Sequence, residues 1–233
     1  TESRAVEALE QLAAAHPAEA LRIGHLLEPV YERTLKLDKL QVLLKKRLEA
    51  SKEDDEKRDL KLRLAEISGT LGDPKTAYAT LESAFLDNPG NVELWDRITN
   101  MADQARAHDE LAVAFATVIE MAAVPEDQVA ALSERTARIY DSVLGQPERA
   151  EAFHLRVLAH DPLADGAYEA LRDLYTNTER WEELKKLYRE RITSTVDAQQ
   201  KLDLLLQVCF LHEEILDDVE LAITSYQEVL ELD

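Results

Sequence analysis

The sequence predicts an all-α repeat protein, and three observations predict it. The phrase LGDPKTAYATLESAFLDNP, from Leu71 to Pro89, returns as LGQPERAEAFHLRVLAHDP from Leu144 to Pro162, 73 residues on. Apolar residues recur at helical spacing within each period, and strand-type alternation does not appear. The breaks between these stripes carry residues that stop and start helices.

The period sets the architecture. His16-Pro17, Asn88-Pro89 and Asp161-Pro162 lie 72 and 73 residues apart, and Ala5, Ala77 and Ala150 each stand twelve residues before their proline. Ala222 stands in the same relation to the position just after Asp233. The expected units are a partial repeat at 1–16 and double hairpins at 17–88, 89–161 and 162–233, forming one array that reads as a fragment of a longer one.

Each element has its own warrant. Ala5 marks a first helix at 3–15, and a second follows at 18–35, which Pro29 is expected to kink or break. Leu40, Leu44 and Leu48 make the buried stripe of a third helix, 38–51. SKEDDEKR, residues 51–58, reads as a solvated turn or frayed helix start before a fourth helix at 58–71. Gly72-Asp73-Pro74 then supplies a glycine stop, an Asp N-cap and a first-turn proline for a fifth at 74–87. Asn88-Pro89 opens a sixth at 90–104, and Leu111, Phe115 and Ile119 give the stripe of a seventh at 109–121.

An eighth helix at 127–143 ends at Gly145-Gln146-Pro147, which repeats the earlier stop with a weaker cap and starts a ninth at 147–159. Asp161-Pro162 opens a tenth at 163–177, carrying Tyr168, Leu171 and Tyr175 at i, i+3 and i+7. Leu184, Tyr188 and Ile192 define an eleventh at 180–195, the apolar run LLLQVCFL falls in a twelfth at 198–215, and a thirteenth fills 218–232.

Composition narrows the function. Of 233 residues, 45% are hydrophobic and 32% charged, so the chain can bury a core, and six glycines argue against an all-β protein built on tight turns. A formal charge of −20 repels a phosphate backbone, so no nucleic-acid partner is expected; a steered partner carries basic groups. Cys209 is the only cysteine, which removes disulfides and Cys-pair zinc sites and suits a buried small hydrophobe. No apolar run is long enough to cross a bilayer, so no membrane insertion is expected, and a cytoplasmic setting is the expectation.

The first-helix series Trp95, Ile98, Ala102 and Tyr168, Leu171, Tyr175 resembles the tetratricopeptide-type (TPR) helical repeat, as do the second-helix series Ala77, Leu81, Ala84 and Ala222, Tyr226, Val229. Departures exist: Leu40, Leu111 and Leu184 replace the small second-helix residue in alternate hairpins, and Arg172 follows the first-helix Leu171. Degenerate doublets of this kind, with phrases like LLEPVYE and RWEEL, resemble long bacterial TPR arrays. The resemblance implies an α-α superhelix, a TPR-like solenoid of antiparallel hairpins whose first helices line a concave groove.

Catalytic patterns are missing. None of the six histidines forms an i, i+4 pair, LHEEIL around His212 lacks a zincin's second histidine, and the six glycines are isolated, so no phosphate loop exists. No enzyme activity, cofactor or metal is expected. His154 replaces Leu81 and Tyr226 of the other copies, which suits a packed core residue; Trp95 takes the bulky core position, and Trp181 sits near a helix start.

The family's groove contacts, carried onto this chain, fall at Glu66, Asp96, Asn100, Arg135, Glu169, Asp173 and Gln207. TPR domains that clamp a C-terminal carboxylate use lysines and asparagines there, whereas this set is mostly acidic. The expectation is a protein-interaction scaffold whose acidic groove takes a basic or amphipathic segment of another protein. The alternatives are an acidic solvated surface, and a spacer or regulatory solenoid whose effector domain lies elsewhere. No Lys or Arg follows Lys201, which suits a solvated edge, an interface with a further repeat, or a docking surface for a basic partner.

Overall fold

A computed structural model describes residues 2–16 and 19–232; Thr1, Asp233 and Pro17, the first repeat-marking proline, lie outside the described residues. The helices are α1 (Glu2–Ala15), α2 (Ala20–Arg33), α3 (Leu37–Ala50), α4 (Asp54–Thr70), α5 (Pro74–Asp87), α6 (Val92–Ala105) and α7 (His108–Glu120). They continue with α8 (Glu126–Arg138), α9 (Pro147–His160), α10 (Asp165–Asn177), α11 (Trp181–Ser194), α12 (Ala198–Phe210) and α13 (Val219–Leu232). There is no strand among the described residues.

Contacts divide the chain into two compact units, Thr1–Ala114 and Phe115–Asp233, with the division inside α7. In the first unit each helix from α1 to α5 packs on the next, and in the second each helix from α8 to α12 does the same. Short connections leave neighbours antiparallel, so the unit of structure is a helical hairpin.

The backbone repeats more regularly than the sequence. Gly72 and Gly145, at φ +79° and +63°, sit at the turns into α5 and α9, where a left-handed residue ends the preceding helix. Asp217 takes the same place before α13 at φ +51°, and Leu35, Arg106 and Glu179 do so before α3, α7 and α11. Only two of these six turns carry the residue type that signals them. Helices α8 and α12 also end in matching π-helical turns, Ile139–Val143 and Leu211–Ile215. Their Leu144 and Leu216 amides donate to the carbonyls of Ile139 and Leu211 at 2.9 and 3.0 Å.

Two expectations need correction. Pro29 does not break α2, which runs from residue 20 to 33. The proline is exposed, while Ile23, Leu27 and Tyr31 bury the opposite stripe and hold the helix through it. Helix α4 begins at Asp54 and not at 58, because Asp54, Asp55 and Glu56 suit the positive N-terminal end of the helix dipole. Glu56 is further held by Arg47 and by Ser51 Oγ, each at 2.7 Å.

The core follows the predicted stripes. Leu44, Leu111, Phe115 and Leu171 are fully buried, and Trp95 is buried with its indole Nε1 donating to the Pro89 carbonyl at 2.8 Å. Tyr168, Leu171, Tyr175, Leu184, Tyr188 and Leu204 form one cluster of the second unit. Cys209 is buried, and burial pushes its thiol pKa up, which disfavours the thiolate.

Polar staples tie neighbouring hairpins. In the first unit Glu28 accepts from Arg47 and from Arg63 Nη1 (2.5 Å), and Arg63 also reaches Glu32. In the second, Glu151 accepts both Nη atoms of Arg180, at 2.6 and 2.9 Å, and the Tyr175 hydroxyl at 3.0 Å.

Candidate functional site

Within the second unit α8 and α10 rise on either side of α9, and the space between them is a groove of about 650 Å³. Helix α8 contributes Asp127, Ala131, Glu134 and Arg138, positions that fall on one face, followed by Asp141 from the π-helical turn. The other wall is the start of α10, where Ala164, Gly166, Ala167 and Ala170 are small enough to leave the space open. Asp161 and Asp165 stand at that end, and His154 and His160 of α9 form the floor.

The lining is acidic, and part of its charge is already engaged. His154 is buried and its Nε2 bonds to Asp141, so the histidine packs as its repeat position implies and also carries a polar contact. Asp165 pairs with Arg191. Glu134 lies 3.8 Å from Arg138, but both side chains are about two-thirds exposed (67% and 66%), so solvent weakens that pair.

None of the contact residues singled out from sequence lines this groove. Arg135 and Glu169 are the neighbours of its lining residues Glu134 and Ala170; Arg135 is half-buried and Glu169 exposed. Asp173 is exposed on α10 and receives Arg172 Nε and Nη2 at 3.1 and 2.9 Å. In the first unit Asp96 and Asn100 are exposed on α6, and Glu66 of α4 is bridged by Arg97 of α6 at 2.8 Å. Gln207 lines a different, mostly apolar groove of about 350 Å³ between α11 and α12, beside Trp181 and Phe210.

Sequence reasoning missed Asp127, Glu134, Asp161 and Asp165. Their signal was present as Asp127, Glu134 and Arg138 on the face of α8 that also holds Ala131, opposite a run of small residues on α10, but it needs the hairpin pairing to be read. A further groove of about 660 Å³ lies on the α9–α11 side, where Leu155, Leu158 and Pro162 meet Lys186, Arg189 and Arg191. Among the described residues no cluster of three or more His, Cys, Asp or Glu could hold a metal, and no helix is long and apolar enough to cross a membrane.

Among the described residues the chain is all-α, with consecutive helices packed each on the next within each unit, from α1 to α6 and from α8 to α13. No protein-family model matches the sequence, and no curated protein does. Among solved structures, the chain is similar to MamA from Desulfovibrio magneticus at 16% identity, covering 76% of this chain and 94% of that one, with a TM-score of 0.38. It is similar to pilF of Pseudomonas aeruginosa at 15% identity, 92% coverage of both chains and a TM-score of 0.38. A tetratricopeptide repeat protein from Parabacteroides merdae matches 98% of this chain and 85% of its own at 14% identity and a TM-score of 0.37. At such scores none of them carries information about a ligand of this chain.

Proposed function

We propose that the chain is a non-catalytic protein-interaction scaffold that seats a basic or amphipathic segment of another protein in the groove between α8 and α10. The observation that carries this reading is the lining itself. Asp127, Glu134, Asp141, Asp161 and Asp165 surround a wall of alanines and a glycine in a space large enough for several side chains. A Lys or Arg entering there meets carboxylates at the rim, while the small residues let a backbone approach closely.

Arg135, Glu169 and Asp173 are proposed as rim contacts of the same segment. Glu66, Asp96 and Asn100 are proposed as a comparable acidic stretch on the first unit, and Gln207 as a contact beside the apolar groove on α12. The formal charge of −20 favours encounter with a basic partner at long range.

A second reading, the spacer solenoid, draws on the pairing of Glu66 with Arg97 and of Asp173 with Arg172, which leaves those predicted contacts neutralised within the chain. Titration of a Lys/Arg-rich peptide into the protein separates the two. Glu134→Lys with Asp161→Lys is expected to weaken binding by about tenfold or more; unchanged affinity in that variant counts against the groove.

A further inference from the structure

The groove on the α9–α11 side has the opposite charge pattern from the one between α8 and α10. It holds about 660 Å³, and its two walls differ in chemistry. The α9 wall is apolar: Leu155 and Leu158 on the helix and Pro162 just beyond it. The α11 wall is charged, with Lys186, Arg189 and Glu190 at i, i+3 and i+4 on one helical face. Helix α10 packs on both α9 and α11 and supplies Tyr168 to the lining. The groove therefore lies between consecutive hairpins of the second unit and not on a terminal face.

The cations there divide into one that is structural and two that are available. Arg191 pairs with Asp165, donates from Nη1 to the Pro162 carbonyl at 3.1 Å, and sets its guanidinium 4.9 Å from the Tyr168 ring centroid. These contacts tie α11 to the start of α10 and fix the shape of the groove. Lys186 Nζ lies 3.7 Å from Glu190 Oε1, but the side chains are 77% and 58% exposed, so solvent weakens that contact. Arg189 is exposed, and its guanidinium makes no ion pair among the described residues.

Packing of the repeat does not call for these charges. In the middle copy, the places of Lys186, Arg189 and Arg191 are taken by Val113, Ala116 and Val118 of α7. In the first copy Lys45 and Arg47 stand where Arg189 and Arg191 do, and Arg47 is engaged by Glu28 and Glu56. Two available cations beside exposed apolar side chains are a local exception in a chain of formal charge −20.

That combination limits what fits. An extended polyanion, such as nucleic acid or a lipid surface, meets the repulsion of the whole chain. A short acidic segment reaches the two cations at close range while its apolar side chains cover Leu155 and Leu158. A basic segment, suited to the α8–α10 groove, is turned away here by like charge.

We propose that the α9–α11 groove docks an acidic amphipathic segment of a partner protein. Its apolar side chains lie on Leu155, Leu158 and Pro162, and its carboxylates meet Lys186 and Arg189. This goes beyond the α8–α10 reading and does not rest on it; the second unit then offers two grooves of opposite charge preference.

The test titrates the full chain with two synthetic peptides of about eleven residues, or three helical turns. Both carry Leu at i, i+4 and i+7, and they differ only in having Glu or Gln at the remaining positions. The Glu peptide is expected to bind, and the Gln peptide to bind at least about tenfold more weakly. Lys186→Gln with Arg189→Gln should cost the Glu peptide about tenfold, and Leu155→Ala about threefold. Both sets of side chains are exposed, so the variants fold as the parent does. The Lys186→Gln, Arg189→Gln variant is expected to bind a Lys/Arg-rich peptide within about twofold of the parent, which keeps failure here distinct from failure of the α8–α10 groove. Failure of the Glu peptide to bind, equal binding of the two peptides, or unchanged affinity in the Lys186→Gln, Arg189→Gln variant overturns the proposal. So does self-association of the chain that this variant abolishes, which gives the groove to a second copy.

Discussion

Arg97 Nη2 of α6 lies 2.8 Å from Glu66 Oε1 of α4, so a carboxylate on the sequence-predicted contact face is answered from the neighbouring hairpin. Both side chains are substantially exposed, Glu66 the more so, and such a pair contributes little to stability. Its consequence is for charge. Arg97→Ala is expected to change Tm by no more than about 2 °C, consistent with a surface pair. It should raise the affinity of a Lys/Arg-rich peptide for the first unit. Calorimetric titration measures this, and unchanged affinity removes Glu66 from the contact set.

The left-handed turns give a second prediction. Gly72 adopts φ +79° with open space where a Cβ would stand, so Gly72→Ala meets backbone strain and no clash. It is expected to cost about 1–2 kcal/mol. Glu179→Gly, at φ +55°, relieves the same strain and is expected to be neutral or stabilising by up to about 1 kcal/mol, after the added chain entropy of glycine. Urea unfolding of both variants checks the sign of each.

Leu171 and Leu155 separate core from surface. Leu171 is fully buried, so Leu171→Ala is expected to lose about 2–5 kcal/mol through lost burial and the cavity left behind. Leu155 is 42% exposed, and its alanine variant is expected to stay within about 0.5 kcal/mol of the parent. Equal losses would contradict the assigned stripe.

Stability against pH tests the polar staples. Hydrogen bonds from Arg180 hold the Glu151 carboxyl below its ordinary value of 4.5, against the opposing effect of burial and with help from Tyr175. At Glu28 burial pushes the pKa up, but Arg63 and Arg47 outweigh it and the net shift is also downward. A carboxylate with a lowered folded-state pKa contributes stability that is complete above its unfolded value. That contribution is lost as pH falls through the folded value. Relief of self-repulsion in a chain of formal charge −20 acts in the opposite direction on acidification, so the parent curve mixes both effects. Comparison with Glu151→Gln isolates the staple. The Tm gap between parent and variant should be constant at neutral pH and close below about pH 4.5.

Much of the fold was legible because packing writes periodically. The stripe Leu184, Tyr188, Ile192 and the stop Gly72-Asp73-Pro74 located α11 and α5 closely, since apolar spacing and caps act within a few residues. Local patterns allowed a break at Pro29 that does not occur and misjudged the start of α4, where a buried opposite stripe and the Arg47–Glu56 contact bear on the outcome. The candidate groove was less legible. Glu134 and Asp161 come from different helices, and only the folded hairpins bring α8 and α10 to either side of α9. Left-handed Arg106 and Glu179 gave no residue-type signal at all.

Hydrogen–deuterium exchange, with and without a Lys/Arg-rich peptide, tests the central claim most directly because it reports where the peptide sits. Protection concentrated in residues 126–143 and 160–170 is the predicted result. Protection absent there despite measurable binding, or spread evenly over the chain, would contradict the groove as the site.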